Sequence, residues 1–527
     1  MLIGAGWAAP AIMMSQAVPA FAASFDACAP AGTLFDTEAQ GRLLGGNLLG
    51  IDLDAIAQVV PANAIELASS PESSQTNVSP LSVQLLSSVL LNLNGLGNVL
   101  SDVLAFAAPA DTGALAQYAY AHEEPGLVEA AALVGYTHGA SGAVSDSSGA
   151  INFESLKAEA PQLATLSLKA ILENLTGPGV AELLAQIADL DLIIGAVGGY
   201  ARLDSLCQTP DLMTEVERDY VIAYLKLVVK AELIVAGLLQ GVIQAIQTIT
   251  IDTQALTALI GQLLGPIGHL LGTLLNQTLT VKLTVDAASL TAEPIPATQP
   301  AGLQIDFNTG ELTLDLETLL GGAYDGQLST LLNNQPPNSQ LFVDIPIPGS
   351  GVTDIVRGWV IDSLIPRLLD AVYLKVTLGS VSGLLATGLL LEGTLRQFLE
   401  GTATATLRVL GAPILGFDAL INGLLGGVGQ FVLDAITNLL APAGALNAVF
   451  DVLNALLGNV FQVLTNVVAI ILNEQWETPQ SAAYDANNPK VQTPRYHEAA
   501  LNVRALGVLN VLDLKLGTGY AGHHTQR

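Results

Sequence analysis

The stretch that decides the fold is Thr278–Asp286, which reads TLTVKLTVD. Every second residue from Leu279 onward is apolar, and the residues between are Thr, Lys or the final Asp. Successive side chains of a β-strand point to opposite faces, so this stretch has one face that packs and one that meets water. The pattern predicts an antiparallel sheet with one buried face, and the Thr and Val residues favour it further.

The same alternation recurs in other parts of the chain. It is found in Glu311–Glu317, Tyr373–Leu378, Thr402–Val409, Leu501–Ala505 and Leu512–Leu516, and in a shorter form in Ile51–Ile56. Residues 135–149 are instead rich in Gly and Ser, a composition that predicts turns between strands.

Long apolar stretches lie between these strands, and each carries a thin stripe of polar residues at helical spacing. The first stripe is Asn447, Asp451, Asn454, Gly458, Gln462 and Asn466. The second is Asn422, Gly426, Gln430, Asp434 and Asn438, and the third is Gln254, Thr257, Gly261, His269 and Thr273, interrupted by Gly265-Pro266. These stretches are apolar around most of their circumference, so they are predicted to be buried helices. The predicted fold class is α+β, with antiparallel sheets packed with long apolar Leu- and Ala-rich helices.

These helices are predicted to be packed core rather than membrane spans. Asn459, Gln462 and Asn466 interrupt the most apolar window, and Asp434 interrupts the other. A helix lying in a membrane interface would need basic residues on its polar face, and there is none between Arg408 and Lys490.

Composition divides the chain into five predicted regions. They are a signal peptide (1–22), a loop- and strand-rich region (23–160), a helix-plus-strand region (161–290), a Pro-rich connection with strand 311–317 (291–352) and a second helix-plus-strand region (353–527). Three further segments, Glu293–Pro300, Asn333–Gly351 and Gln475–Pro494, are predicted to be linkers or long loops because they are polar or contain several prolines.

The charge balance excludes one class of partner. The chain of 527 residues has 47 acidic and 18 basic side chains, a formal net charge of −29. Such a field repels nucleic acid and anionic lipid surfaces, so neither is an expected partner.

The first residues predict export. Met1–Ala22 is an uncharged, Ala-rich apolar run that closes on Ala20-Phe21-Ala22, the small-x-small pattern that a signal peptidase recognises, so cleavage is predicted between Ala22 and Ala23. The first basic residue is Arg42, which suggests that the true start of the signal lies upstream of Met1. The expected location is extracellular or at the cell surface.

Two cysteines, Cys28 and Cys207, are the only ones in the chain. In an oxidising compartment they could form one disulfide, and the alternative is two unpaired thiols. Neither has His or Cys neighbours at the spacing of a zinc site.

Motifs of common exported enzymes are missing from the sequence: there is no HExxH, SxxK or GxSxG motif and no phosphate loop. His138 lies near Ser141 and Asp146, so a nucleophilic triad is one interpretation, and a solvated loop His is the other. His269 is predicted to be a surface or core-edge residue, and His523-His524 an exposed tail. We therefore expect no catalytic or cofactor-binding residue.

Two carboxylate pairs are candidates for a Ca²⁺ site completed by oxygens from elsewhere. They are Asp52 with Asp54, and Asp315 with Glu317, each pair predicted to share one strand face. Neither is a complete calcium loop, so the alternative is a solvated strand face, and no metal ligand is assigned.

Several segments together resemble a known family. They are Glu38–Gly46 (EAQGRLLGG), Ala140–Asp146 (ASGAVSD) leading to Gly149-Ala150-Ile151, and Leu314–Leu320 (LDLETLL) followed by Pro336–Ser339 (PPNS). Their order and spacing resemble the choice-of-anchor G family of actinobacterial surface proteins over most of the mature chain. The resemblance implies an exported protein held at the surface by a variable C-terminal device, and it implies no activity. The last residues, Tyr520–Arg527, contain no LPxTG motif, hydrophobic tail or basic cluster, so secretion or noncovalent retention is expected.

These observations favour a non-enzymatic exported surface or secreted protein with a structural, adhesive or assembly role. The expected partner is a cell-wall polymer or another copy of the chain. The alternatives are an exported hydrolase whose site is assembled from distant residues, and a carrier whose apolar helices enclose a lipid-like ligand.

Overall fold

The fold is described from a computed structural model. It covers residues 35–48, 51–53, 62–66, 75–78, 103–107, 116–122, 131–145, 148–208, 211–263, 278–297, 302–349, 351–410, 412–413, 418–441, 446–479, 494–506, 511–523 and 525–526.

In the described residues, the strands come in consecutive runs at the beginning and at the end, and between these runs they are interspersed with helices. In chain order they are β1 (Phe35–Leu48), β2 (Ile51–Asp52), β3 (Ala62–Glu66), β4 (Gln75–Val78), β5 (Leu104–Phe106), β6 (Ala116–His122), β7 (Ala131–Gly142), β8 (Gln162–Ser167), β9 (Asp189–Gly195), β10 (Val197–Gln208), β11 (Asp211–Ile222), β12 (Leu225–Lys230), β13 (Leu279–Val285), β14 (Leu303–Asp306), β15 (Glu311–Asp315), β16 (Tyr324–Asp325), β17 (Leu328–Ser329), β18 (Ser339–Gln340), β19 (Val372–Gly379), β20 (Gly388–Thr394), β21 (Thr404–Val409), β22 (Ala412–Pro413), β23 (Val468–Thr478), β24 (Arg495–Ala505), β25 (Leu512–Ala521) and β26 (Thr525–Gln526).

The helices range from single turns to rods of about 20 residues. In chain order they are α1 (Phe153–Ala158), α2 (Leu168–Leu172), α3 (Val180–Gln186), α4 (Glu232–Thr248), α5 (Thr253–Leu263), α6 (Ala287–Thr291), α7 (Leu316–Leu319), α8 (Val352–Trp359), α9 (Ile365–Ala371), α10 (Leu395–Leu399), α11 (Asp418–Leu440) and α12 (Asn447–Asn466), with a π-helical turn (Val360–Leu364) between α8 and α9.

Two antiparallel sheets pack face to face. In the described residues the first sheet has the order β18-β23-β24-β25-β1-β2, with β3 and β26 also paired to β1, and the second has the order β11-β10-β7-β6-β4. Strands β1 and β25 are neighbours although they come from opposite ends of the chain, with Gly41 opposite Gly519 and Leu44 opposite Leu516. Strands β1, β24 and β25 lie against β6, β7, β10 and β11 of the second sheet.

The remaining sheets pack with the helices. Over the described ranges the third sheet has the order β14-β15-β12-β9-β8-β5 and the fourth the order β13-β19-β20-β21-β22. Helix α12 lies against β23, α3, α4 and α8, and helix α11 lies against α5 and α10. One continuous apolar core extends from Leu43 on β1 through these helices to Leu516 on β25. The chain is therefore of the α+β class, as predicted.

Within the described ranges, two helices are long and apolar enough to cross a membrane, judged by length and composition only. They are Ile421–Leu440 and Asn447–Asn466, and the bent pair α4 and α5 would be a third if it formed one span. Helix α12 also buries a stripe of eight residues in the core, among them Phe450, Leu453, Leu457 and Phe461. That stripe supports the prediction that the helix packs in the core. That the helices do not span a membrane stays a prediction, because their length and composition would also allow a span.

Most of the predicted elements are confirmed. Thr278–Asp286 contains β13, and Tyr373–Leu378 and Thr402–Val409 correspond to β19 and β21. The segments at 501–505 and 512–516 are parts of the longer strands β24 and β25. The three polar stripes fall on α12, α11 and α5, although the third is described only to Leu263.

The prediction of turns over residues 135–149 is wrong for its first half. Strand β7 runs from Ala131 to Gly142 and is the central strand of the second sheet, paired with both β6 and β10. Small residues are frequent in turns, but Ala140 and Ser141 instead lie where the first sheet approaches, beside Gly41 and Arg42. The predicted strand Glu311–Glu317 is also too long, because Asp315 accepts a hydrogen bond from the Thr318 backbone N–H and begins helix α7.

The predicted linkers are largely structured where they are described. In Asn333–Gly351, strand β18 pairs with β23. In Gln475–Pro494, residues 475–478 belong to β23, and residues 480–493 lie outside the described ranges. The predicted region boundaries do not separate independent sheets, because the third sheet joins strands from 104–106, 162–230 and 303–315.

The two facing sheets meet at glycines. A Cβ atom on Gly41 of β1 would lie 2.5 Å from the Tyr118 carbonyl oxygen and closer still to that of Ala140, both on the second sheet. A Cβ on Gly199 of β10 would lie 3.2 Å from the Ala500 backbone nitrogen and closer to the Gly517 carbonyl oxygen of the first sheet. Backbone therefore packs directly on backbone, which only a residue without a side chain permits.

We expect Gly41→Ala to destabilise the protein by about 3 kcal/mol or prevent folding, because the new methyl group forces the two sheets apart. The matched control is Gly237→Ala on α4, where an added Cβ meets no atom within 4 Å. That substitution should raise the free energy of unfolding by about 0.5–1 kcal/mol, since Ala is the better helix former. Denaturant unfolding of both variants measures the difference, and equal stabilities would contradict the packing described.

Candidate functional site

Ser141 lies in the contact between the two sheets. Its Oγ is buried and 2.7 Å from two carbonyl oxygens of the first sheet, those of Arg42 and Thr518, so its proton is donated there. His138 lies three residues earlier on the same strand, and its side chain, like that of Asp146, lies outside the described residues. The Ser141 hydroxyl is therefore engaged in hydrogen bonds within the protein. It serves as a link between sheets, in a place where no substrate has access.

The charged residues Glu498, Arg218 and Asp219 lie in the same contact between the two sheets, where β24 faces β11. Glu498 on β24 is fully buried, and neither carboxylate oxygen has a partner at hydrogen-bond geometry among the described residues, although the Gln475 side chain is close enough to oppose the rise of its pKa. Its pKa is raised well above the usual range by burial, against the opposing effect of the Arg218 charge. Arg218 on β11 lies over the Tyr496 ring at 5.8 Å, and burial also raises the pKa of the neighbouring Asp219 to about 6. Glu498 can therefore hold a proton, but it is closed off from solvent.

A row of rings crosses strands β23, β24 and β25, with a cation at each end. The Trp476 and His497 rings stack at 4.5 Å with an interplanar angle of 13°, and the Tyr520 ring lies 5.0 Å beyond His497. Lys515 lies 5.3 Å from the centre of the Trp476 ring and Arg495 lies 5.1 Å from that of Tyr520. His497 and Lys515 both contact the Trp476 ring, so this ladder stabilises the sheet.

His497, in the middle of the ladder, is held neutral. Burial, with the charges of Arg495 and Lys515, lowers its pKa from 6.5 to about 3. Its Nε2 lies 3.0 Å from the Thr478 hydroxyl. This environment disfavours the proton exchange near neutral pH that a general base requires.

The carboxylate pair Asp315 and Glu317 holds a turn in place. Glu317 is fully buried and accepts hydrogen bonds from the backbone N–H groups of Thr330 (3.0 Å), Leu331 (2.8 Å) and Leu332 (3.2 Å), and from the hydroxyls of Ser329 and Thr330. Asp315 accepts from the Tyr324 hydroxyl at 2.9 Å and from the Thr318 N–H at 3.0 Å. The two residues do not share a strand face, because the strand ends at Asp315. Their oxygens organise the segment 324–332.

The residues after this segment connect the second sheet to the first by hydrogen bonds. Asn333 bonds to the backbone of Ile222 on β11, and Asn338 accepts from the Gln475 N–H at 3.0 Å on β23. Asn473 on β23 donates to the Gln335 carbonyl at 2.9 Å. We call residues 324–338 the strap, because they connect β11, an edge strand of the second sheet, to β23 of the first.

One open groove lies away from the sandwich. It has a volume of about 380 Å³, and its lining includes Leu303, Leu319, Trp359, Asp354 and Asp362. The volume falls in the range of about 300–1,000 Å³ that is usual for small-molecule sites. The Trp359 indole N–H is used internally, donating to the Ile295 carbonyl at 2.8 Å.

Several sequence-predicted residues fall outside the described part of the chain. They are Ala22, Ala23, Cys28, Asp54, His269 and His524, together with the side chain of Cys207. The disulfide, the cleavage site and a Ca²⁺ site at Asp52 and Asp54 therefore stay predictions. In the described part, no group of three or more His, Cys, Asp or Glu side chains could hold a metal ion.

One histidine prediction is wrong. His523 is not in an exposed tail: its side chain is only 12% exposed and its Nε2 lies 3.7 Å from the Glu38 carboxylate. The tail is held because β26 pairs with β1.

Sequence reasoning missed Glu498, Arg218 and Trp476. The only available signal was the run Tyr496-His497-Glu498 in a strand, which places a polar group on both faces of the sheet. Nothing local indicates that Arg218 lies opposite, because the two charges are far apart in the sequence.

Comparison with known proteins gives one match. A family model described as "Domain of unknown function (DUF8394)" matches residues 39–522, nearly the whole chain. No curated protein and no solved structure matches the chain.

Glu317→Ala should lower the free energy of unfolding by about 3 kcal/mol or more, because three buried backbone N–H groups lose their acceptor. Glu317→Gln should be intermediate, since it keeps one acceptor oxygen. The control Glu182→Ala removes an exposed carboxylate and should change stability by less than about 0.5 kcal/mol. Urea denaturation measures all three, and an unchanged Glu317→Ala would refute the role of this carboxylate.

His497→Phe should reduce the loss of stability on acidification. With a folded-state pKa near 3 and an ordinary value of 6.5, the unfolded chain binds the proton first, so His497 makes stability fall as the pH drops from about 6.5 toward 3. Phe keeps the stack and removes the titration. Unfolding free energies at pH 7.5 and 4.5 should differ less for the variant than for the parent; an equal difference would show that His497 is not held neutral.

Proposed function

We propose that this chain, which belongs to the family described as a domain of unknown function (DUF8394), is a non-enzymatic exported protein with a structural, adhesive or assembly role outside the cell or at its surface. The observation that carries the proposal is the backbone-on-backbone contact of the first two sheets at Gly41 and Gly199. Because backbone packs directly on backbone, the two sheets form a thin and rigid unit with no space for water between them, which suits a scaffold.

Three reactive side chains, Ser141, Glu317 and His497, support the same proposal, because each has a partner inside the fold. The Ser141 hydroxyl donates to backbone carbonyls, Glu317 accepts from the strap, and His497 is stacked between Trp476 and Tyr520. A catalytic group needs at least one face turned to a substrate. These three side chains stabilise the fold instead.

The surface favours a neutral or cationic partner. A formal net charge of −29 repels polyanions and keeps separate copies apart at low ionic strength. A cell-wall polymer with free amino groups or neutral sugars, or a second copy of the chain at physiological salt, is compatible with this charge.

Fractionation tests the location and a binding assay tests the role. Blots of medium, wall and cytosol should place the chain in the first two fractions.

The purified chain should cosediment with insoluble wall polymer or self-associate in sedimentation velocity, and the heat-unfolded chain serves as the control. It should turn over no ester, glycoside or peptide substrate. Retention in the cytosol would contradict export, and turnover that a point substitution abolishes would establish an enzyme.

A carrier of a lipid-like ligand is the second candidate, and the groove beside Trp359 is the observation that favours it. Native mass spectrometry of the chain isolated from cells tests it. A bound small molecule that is lost in Gly358→Leu, which fills the groove, would favour the carrier over the scaffold.

A further inference from the structure

Three of the four most exposed large apolar side chains of the described residues lie at one end of the fourth sheet. Leu384 is 94% exposed, Leu385 72% and Leu410 69%, and of the other large apolar residues only Leu233 is comparably exposed, at 90%. Leu384 and Leu385 lie in the turn between β19 and β20, and Leu410 follows β21. We call these three residues the leucine tip.

The three leucines belong to one end of the fourth sheet. Gly388, which begins β20, pairs with Arg408 on β21, and the Leu410 N–H donates to the Thr387 hydroxyl at 3.1 Å. The two loops are thus joined side by side. An apolar cluster exposed to this extent at a loop end costs solvation free energy, and such clusters mark interaction sites.

The chemistry of the turn fits a lipid bilayer. There is no charged residue from Val376 to Leu391. Part of the backbone of the turn is satisfied internally, because the Ser380 N–H donates to the Thr387 carbonyl at 3.1 Å and the Ala386 N–H to the Gly383 carbonyl at 3.3 Å. Internal hydrogen bonds lower the free-energy cost of placing backbone in an apolar phase.

One cation stands immediately behind the leucines. Arg408 is two residues from Leu410 and partly exposed, and it makes no ion pair with any described residue. A long basic side chain at this depth can reach lipid phosphates while the apolar residues enter the hydrocarbon. This charge complementarity distinguishes a phospholipid surface from a purely apolar partner.

From this geometry we propose that the leucine tip inserts shallowly into a phospholipid bilayer, with Arg408 at the level of the headgroups. The tip would hold an exported chain at the outer face of a membrane. The insertion relies on the proposed function only for its location, since it is a property of the purified chain and can fail independently of export. The acidic remainder of the protein should favour zwitterionic over anionic membranes.

Flotation with phosphatidylcholine vesicles at 0.15 M NaCl tests the proposal. The parent chain should float with the vesicles, and Leu384→Ser/Leu385→Ser should lower the partition coefficient at least about tenfold, since one buried leucine is worth about that factor. The matched control is Leu233→Ser, which removes an equally exposed leucine from α4 and should float like the parent. Arg408→Gln should weaken binding less than the double variant does. Unchanged thermal unfolding of each variant confirms that it folds.

Three outcomes would overturn the proposal. The parent chain fails to float; the double variant floats as well as the parent, which would assign membrane contact to the apolar helices α11 or α12; or the double variant loses self-association in sedimentation velocity rather than vesicle binding, which would make the tip a contact between copies of the chain.

Discussion

The structure depends on how closely two β-sheets can approach. Sheets with ordinary side chains pack about 10 Å apart, with the interdigitated side chains forming the layer between them. At Gly41 and Gly199 there is no side chain to form that layer, and backbone atoms of one sheet fill the space where a Cβ would be. This close approach has two consequences for the neighbouring residues. Ala119 and Ala140 are fully buried, and Ser141 can reach two carbonyl oxygens of the facing sheet.

This contact also explains why the polar groups of the sandwich act as structural links. In a layer so thin, a buried donor or acceptor must find its partner within the protein, because there is no space for water. Ser141 satisfies this condition by donating to the carbonyl oxygens of Arg42 and Thr518. Away from the contact, buried Glu317 has five donors, and His497 remains neutral in the ring ladder. Glu498 does not satisfy the condition, since both of its oxygens lack a described partner at hydrogen-bond geometry, and protonation relieves the charge.

The sequence predicted the elements that have a clear period and missed those in which small residues decide the structure. Alternation located β13, β19 and β21, and polar stripes located α11 and α12, because period two and period 3.6 are direct consequences of strand and helix geometry. Residues 135–142 were misjudged because Gly, Ala and Ser are common both in turns and in close sheet contacts. The candidate site was the least predictable part: Glu498 meets Arg218, and Glu317 meets the strap, only through tertiary packing, which leaves no local pattern.

Hydrogen–deuterium exchange tests whether the glycine contact between the two sheets is the most stable part of the protein. The amides of Gly41–Leu44 on β1, Ala140–Gly142 on β7 and Ala499–Leu501 on β24 should exchange last, with one common free energy of opening close to that of global unfolding. The core amides of α11 and α12 should open at or before that point. If the sandwich amides exchange early while those helices remain protected, the helical core, and not the glycine contact, holds the fold together.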